Sequence, residues 1–244
     1  GGPRITRSPL IVSLNEITFL VTRGAVGAGV PFGVAEDFSE AVKWMPRLGI
    51  DPLPIALSSL KLLDERLEFG FISLVEKGEG LEFTGRNGLS SVLVGSALAD
   101  YTRLRMGTEG FITVKNVDNP LLVACFLAAL RVGSRVIKWP GVRFNLRRDG
   151  TVTLDAVDLK TIVGAGPTNV VVLDSSLDCA KEWIGGITID PVSMTRFGAK
   201  IIQDGVAVDR YAWDGLDSFF RRCLVPSSEQ SRMSGAGAGL VDVD

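Results

Sequence analysis

The residues best suited to do chemistry by type and spacing lie near the end of the chain. Ser227, Ser228, Ser231 and Arg232 precede Gly235-Ala236-Gly237-Ala238-Gly239, and Asp242 and Asp244 follow. Successive glycine amides can form a nest for an anion. Arg232 and the hydroxyls of Ser228 and Ser231 would add donors beside Gly235, Gly237 and Gly239. Asp242, Asp244 and the terminal carboxylate would instead gather a hard cation. A Gly-Ala segment loses much backbone entropy on ordering. The expectation is nevertheless that residues 225–244 form an ordered tail, held down over a pocket. The plainer alternative is a tail packed on the body or on a neighbouring subunit, with its aspartates in solvent.

The chain contains no histidine. That removes Ser-His-Asp and Cys-His nucleophilic catalysis as usually built, and every His-ligated metal site. Acid–base work would fall on Asp, Glu, Lys, Tyr or Cys. Glu16, Glu36 and Asp100 are the carboxylate candidates. Glu16 and Glu36 also have a structural reading, because both occupy first helical turns, where the dipole favours a negative charge. Paired carboxylates recur at Asp155/Asp158, Asp174/Asp178 and Asp214/Asp217, and spacing alone does not bring them to one cavity. Cys179 follows Ser176 at a helix start with Lys181 near, a context that lowers a thiol pKa, although a buried small side chain is the simpler reading. Cys125 sits in an apolar helix and is expected to be inert. The three cysteines have neither zinc nor disulfide spacing.

The glycine motifs exclude the familiar nucleotide folds. Gly24-Ala25-Val26-Gly27-Ala28-Gly29 lies at a helix end, and Gly164-Ala165-Gly166-Pro167 precedes a strand, the wrong order for a dinucleotide fingerprint. No nicotinamide fingerprint and no P-loop is present, and the cofactor remains unknown. Each glycine cluster reads better as a tight backbone passage. Lysine and arginine total 26 against 28 acidic residues, net −2, so no footprint for nucleic acid or a membrane surface exists. Arg143, Arg147 and Arg148 flank a turn at Asp149-Gly150 and are expected to be a solvated hairpin end. Hydrophobic residues form 46% of the chain, which a generous core or a homo-oligomer interface would absorb. The longest apolar run, Leu121 to Leu130, is half of the roughly 20 residues a spanning helix needs. The expectation is a cytoplasmic protein without a membrane span or leader, with Gly1-Gly2 a processing or cloning remnant.

Helices are expected first. Ser13 and Glu16 form a capping box, and Leu14, Ile17, Leu20 and Val21 follow at helical spacing. Further helices are expected from about Val34 to Met45 and from Ile55 to Leu63. From Leu67 the texture becomes short strands: Phe69 to Val75 and Leu81 to Thr84 as a hairpin, then Ser90 to Leu98, Gly110 to Lys115, Ser134 to Lys138, Val142 to Asn145, Thr151 to Leu154 and Asn169 to Leu173. Pro120 to Leu130 reads as a buried helix, Trp213 to Leu224 as an amphipathic one. Ser176 to Trp183 and Pro191 to Gln203 are mixed. The pattern predicts an α+β fold in a single domain, 1–244. A helical segment, 13–64, packs on a β-rich body with a mixed or antiparallel sheet and interspersed helices, 67–224.

Ser13-Leu14-Asn15-Glu16-Ile17, then Gly27-Ala28-Gly29, Gly33-Val34-Ala35-Glu36 and Ala41-Val42-Lys43-Trp44, resembles the start of a bacterial family of unknown function. Val225-Pro226-Ser227-Ser228-Glu229-Gln230-Ser231-Arg232 with the Gly-Ala tail resembles its end, and Asp100 and Asn119-Pro120-Leu121-Leu122 are similar too. Where an aromatic residue is expected after the second glycine of the opening motif, this chain has Val30-Pro31-Phe32. The resemblance implies a bacterial cytosolic protein and no specific activity. Two readings follow. The first is a binder of a small polar or anionic metabolite, with a histidine-independent enzyme using Asp, Glu or Lys among its forms. The second is a non-catalytic structural or accessory subunit whose tail clamps a partner.

Overall fold

A computed structural model describes residues 8–65, 71–78, 80–104, 110–178 and 185–224. Strand β1 (Leu10–Val12) leads into helix α1 (Leu14–Gly27) through the expected capping box: the Ser13 amide donates to Glu16 Oε2 at 2.7 Å, and the Glu16 amide to Ser13 Oγ at 3.2 Å. Helix α2 (Phe32–Trp44) runs into a 3₁₀ turn (Met45–Leu48), and α3 (Leu53–Glu65) follows. These helices bury one face each, with Ile17, Val21, Phe38, Ala41, Leu53 and Leu60 sealed from solvent.

The body is an eight-stranded sheet. Its strands are β2 (Ser73–Lys77), β3 (Gly80–Thr84), β4 (Phe111–Val117), β5 (Arg135–Trp139), β6 (Val142–Leu146), β7 (Val152–Ala156), β8 (Thr168–Asp174) and β9 (Ile187–Ile189). Their order is β2-β3-β4-β8-β5-β6-β7-β9, antiparallel except for the parallel pair β3–β4. Helices α4 (Ser91–Leu104), α5 (Pro120–Ala129) and α6 (Leu159–Val163) interrupt the strands, and α7 (Pro191–Asp204) and α8 (Arg210–Arg221) follow them. A short strand β10 (Val206–Val208) pairs antiparallel with β1 as a separate ribbon. The fold is α+β, with a helical N-terminal part and a mixed sheet, as the sequence pattern predicts.

Alternation gives the sheet two unlike faces. Leu81, Ile112, Val172, Ile137, Phe144, Leu154 and Ile189 stand in register across seven strands, and most are buried in the apolar cluster that also takes in the helices. The opposite face carries Val75, Glu82, Thr113, Val171, Lys138, Arg143, Asp155 and Thr188 in one row across all eight strands.

Two expectations need correction. Ser90 to Leu98, read as a strand, lies in helix α4 from Ser91 on. Its Val and Leu residues suggested β, but Gly95, Ser96 and Ala99 form a small-residue stripe that lets α4 pack tightly on its neighbours. An added Cβ at Gly95 would lie 2.6 Å from Phe126 Cγ and Cε2 on α5, and Ser96 Oγ donates to Asp37 on α2 at 2.5 Å. Tertiary packing outweighs β propensity here. Arg143 is not part of a solvated hairpin end: it is half-buried on the sheet and pairs with Asp178, whose other oxygen meets Lys138 Nζ at 2.6 Å. Arg147 and Arg148 are exposed at the turn as expected. That turn is a three-residue loop with Gly150 at φ +83°.

Gly27 is a tight passage. A Cβ there would overlap the Phe219 carbonyl of α8, so glycine permits the two helices to touch backbone to side. Cys125 is buried among apolar neighbours, and burial pushes its thiol up, away from the reactive range.

Candidate functional site

Arg135 opens β5 on the helix-facing side of the sheet, in register with Asp174 on β8 and Leu146 on β6. Two residues further on, the same face presents Ile137 and then Trp139, both buried. A charged side chain thus stands where the alternation calls for an apolar one. It is only 8% exposed. Burial of a guanidinium requires partners. Nη1 supplies them, donating to Asp174 Oδ2 at 2.8 Å and to the Ser134 carbonyl at 2.8 Å. Nε and Nη2 hold no hydrogen bond among the described residues.

Asp174 is fixed in turn. Its Oδ1 accepts from the Ser176 amide at 3.0 Å and the Ser176 hydroxyl at 2.7 Å. These bonds, with the Arg135 charge, hold its carboxyl below the usual range against a smaller opposing effect of burial. Asp174 therefore stays ionised through the neutral range.

Arg135 and Asp174 line a cavity of about 300 Å³ at the ends of β4, β5 and β8 and under the β2–β3 hairpin. Leu81, Phe111 and Ile112 give it apolar wall, and Glu76, Tyr101 and Thr102 give it polar wall. The Tyr101 ring stands edge-on to Phe83 at 6.0 Å, and Thr102 turns its hydroxyl inward to the Leu98 carbonyl at 2.6 Å. At Gly80 a Cβ would come within 2.7 Å of the Phe111 ring, so the absence of a side chain lets Phe111 lie over the hairpin. One cation with an open donor edge, paired with Asp174 and sharing its cavity with Glu76, suits a small molecule that carries a carboxylate and a donor group together.

A second polar cluster lies deeper. Asp118, at the β4–α5 junction, accepts from the Ser91 amide at 2.8 Å and the Asn119 amide at 2.7 Å, and so ties the start of α4 to the start of α5. Asn119 Nδ2 donates to Ser59 on α3 at 2.8 Å. Asp118 is 7% exposed, and burial raises its carboxyl pKa although the amide bonds act the other way.

The sequence-derived candidates do not converge. Glu16 serves the capping box, and the Ser13 amide and hydroxyl hold its carboxyl below the usual range. Glu36 is exposed on α2. Asp100 is exposed on α4 and pairs with Arg103 at 3.2 Å. Asp155 accepts from Thr188, Asp158 caps α6, and Asp178 pairs with Lys138, so these carboxylates act separately. Ser228, Ser231, Arg232, Gly235, Gly237, Gly239, Asp242 and Asp244 lie outside the described residues, as does Cys179. Among the described residues no group of three or more Cys, Asp or Glu side chains gathers in a way that would hold a metal ion. Arg135 was missed although a signal was present: Arg135 and Ile137 alternate on one face of the strand expected over Ser134 to Lys138, and Trp139 continues that face in β5.

Residues 12–69 match the model of a family described as a protein of unknown function (DUF3726). The opening motifs that carry the resemblance, from Ser13 to Trp44, fall within this stretch. No curated protein matches the chain. Among solved structures, a dehydrogenase from Sinorhizobium meliloti superposes with a TM-score of 0.56 at 12% identity, covering 87% of this chain and 100% of that one. A malate dehydrogenase from Pyrococcus horikoshii OT3 gives 0.56 at 10% identity, covering 92% and 99%. A sulfolactate dehydrogenase from Methanocaldococcus jannaschii gives 0.51 at 10% identity, covering 87% and 97%. At these identities the likeness is one of fold. No helix among the described residues is long and apolar enough to cross a membrane.

Proposed function

We propose that this protein binds a small polar carboxylate, a hydroxy acid or an amino acid, in the cavity at Arg135. The observation that carries the reading is the buried guanidinium whose Nη1 is consumed by Asp174 and Ser134 while its Nε–Nη2 edge is left open. That edge matches a carboxylate in bidentate geometry. Asp174, held ionised, accepts from the hydroxyl or ammonium of the same molecule, and Glu76 offers a second acceptor at the rim. Leu81 and Phe111 cover the carbon skeleton. Malate and sulfolactate, named in two proteins of the same fold, are hydroxy acids, which supports this substrate class.

Any chemistry on the bound molecule would run without histidine. Tyr101 and Glu76 are the titratable groups on the cavity wall besides the ion pair, and they replace Glu16, Glu36 and Asp100 as the acid–base candidates.

The test is thermal unfolding against hydroxy acids and amino acids, with Arg135→Lys as the comparison. Lysine keeps the charge opposite Asp174 but has no fork. A ligand at 100 times its dissociation constant adds about 2.7 kcal/mol. The wild type should show that rise for one of the two classes and Arg135→Lys should lose it. A rise of equal size in Arg135→Lys, or none in the wild type with either class, refutes the reading.

A further inference from the structure

A second cleft lies on the helical side of the molecule and shares no lining residue with the Arg135 cavity. It has a volume of about 290 Å³ and is formed where the end of α2 meets the end of α5 and the β6–β7 turn. Lys43, Arg47 and Arg131 line it, with Glu40 and Asp149 as the acidic residues. Both carboxylates are engaged. Glu40 takes Lys43 Nζ at 2.6 Å, and Asp149 accepts the Thr151 amide at 2.9 Å and its hydroxyl at 2.7 Å. The guanidiniums of Arg47 and Arg131 have no ion-pair partner among the described residues.

Arg131 is held there against the preference of its backbone. It follows the last turn of α5 with φ +53°, the left-handed region that glycine enters freely. Its amide bonds Ala128 O and the next amide, of Val132, bonds Leu127 O, both at 3.3 Å. This is the two-bond helix terminator in which glycine is the usual occupant of the left-handed position. An arginine at that position is strained, and its side chain lines the cleft. Residues kept in such backbone regions cluster at ligand sites, and Arg131 is both held in one and on the wall of the cleft.

We infer that this cleft binds the phosphate group of a small molecule, through Arg131 and Arg47 with Lys43 as the third cation. Guanidinium forks bind tetrahedral oxyanions in bidentate geometry, and the two of Arg47 and Arg131 match a doubly charged phosphate in charge, the Lys43 charge being offset by Glu40. The cleft continues past Leu14 and Arg47 towards Met194 and Ile201 of α7, an apolar extension for the organic part of a phosphate ester. The site is independent of the Arg135 cavity, and one can stand without the other.

Glycine and asparagine both tolerate the backbone at position 131, so Arg131→Gly and Arg131→Asn remove the charge without harming the fold. Equilibrium dialysis of the full chain against radiolabelled inorganic phosphate, at constant ionic strength in chloride, reads binding directly. Thermal midpoints without phosphate read the fold. The wild type should retain phosphate at millimolar concentration. Both variants should unfold at or above the wild-type midpoint and lose affinity by about tenfold or more, as removal of a charged hydrogen-bonding group does. Arg47→Gln should lose affinity likewise. Wild-type affinity in the position-131 variants, or no retention by the wild type, overturns the assignment. Retention of phenyl phosphate better than inorganic phosphate supports the apolar extension, and equal retention removes it from the proposal.

Discussion

Gly95 to alanine puts the packing between α4 and α5 under a sharp test. In an exposed helix the exchange would stabilise by about 1 kcal/mol, because alanine is the better helix former. Here the new methyl would sit 2.6 Å from Phe126 Cγ and Cε2 and nearer still to Cδ2, more than 1 Å inside ordinary contact. The Phe126 ring has no room to yield. It is fully buried and stacks on Phe38, with centroids 6.5 Å apart and an interplanar angle of 25°. Overpacking of this kind costs about 1–3 kcal/mol, and a trapped ring belongs at the upper end. Set against the propensity gain, the net loss is about 2 kcal/mol, which for a chain of this size lowers the midpoint by roughly 4–8 °C. The assay is urea unfolding of Gly95→Ala, Phe126→Leu and the double variant. Phe126→Leu alone leaves a cavity, and in the double variant the new methyl occupies part of it. The double variant should therefore be more stable than the sum of the singles by about 1 kcal/mol or more. A Gly95→Ala protein as stable as the wild type, or strict additivity, would refute the view that glycine is required there by the α5 ring.

Two further outcomes follow from side chains already described. Asp118 has its pKa raised by burial, so the folded state binds a proton more readily than the unfolded chain does, and its contribution to stability is lost as pH rises above the ordinary aspartate range. Asp118→Asn keeps an acceptor for the Ser91 and Asn119 amides and removes that titration, so its stability relative to the wild type should grow as pH rises above the ordinary aspartate range, about 4, in denaturant melts; a constant difference would contradict the sign. Ser13→Ala breaks the capping box at α1 and should cost about 1 kcal/mol, read as a lower urea midpoint with an unchanged slope.

Much of the fold was legible because local signals and tertiary demands agree. The capping box at Ser13 and Glu16, the Arg147–Gly150 turn and the Val-rich β8 all formed where periodicity and turn chemistry placed them. Helix α4 was not legible, because its small residues record a partner, Phe126, that lies about thirty positions away in sequence. Strands β1, β9 and β10 were missed because three residues carry no period. The site was harder still. Glu16, Glu36 and Asp100 drew attention as exposed chemistry, whereas Arg135 is a charge concealed inside an apolar alternation. Arg131 carries no signal at all until its backbone angle is known.

The packing of the first described elements against the last bears on how the protein is made. Leu10 pairs with Val208, Asp64 holds Arg222 at 2.7 Å, Phe19 meets Phe220 edge-on at 5.5 Å, and Cys223 Sγ reaches the Arg23 carbonyl at 3.4 Å from 200 residues away. Helix α1 therefore leaves the ribosome long before the helix that covers one of its sides. At the usual pace of synthesis the interval is on the order of 10–40 s. Throughout it the apolar stripe against which α8 will close stays open to any chaperone or neighbouring chain. Closure of α8 over Gly24 and Gly27 is then the late event of biogenesis, and a long-range one, slow by nature.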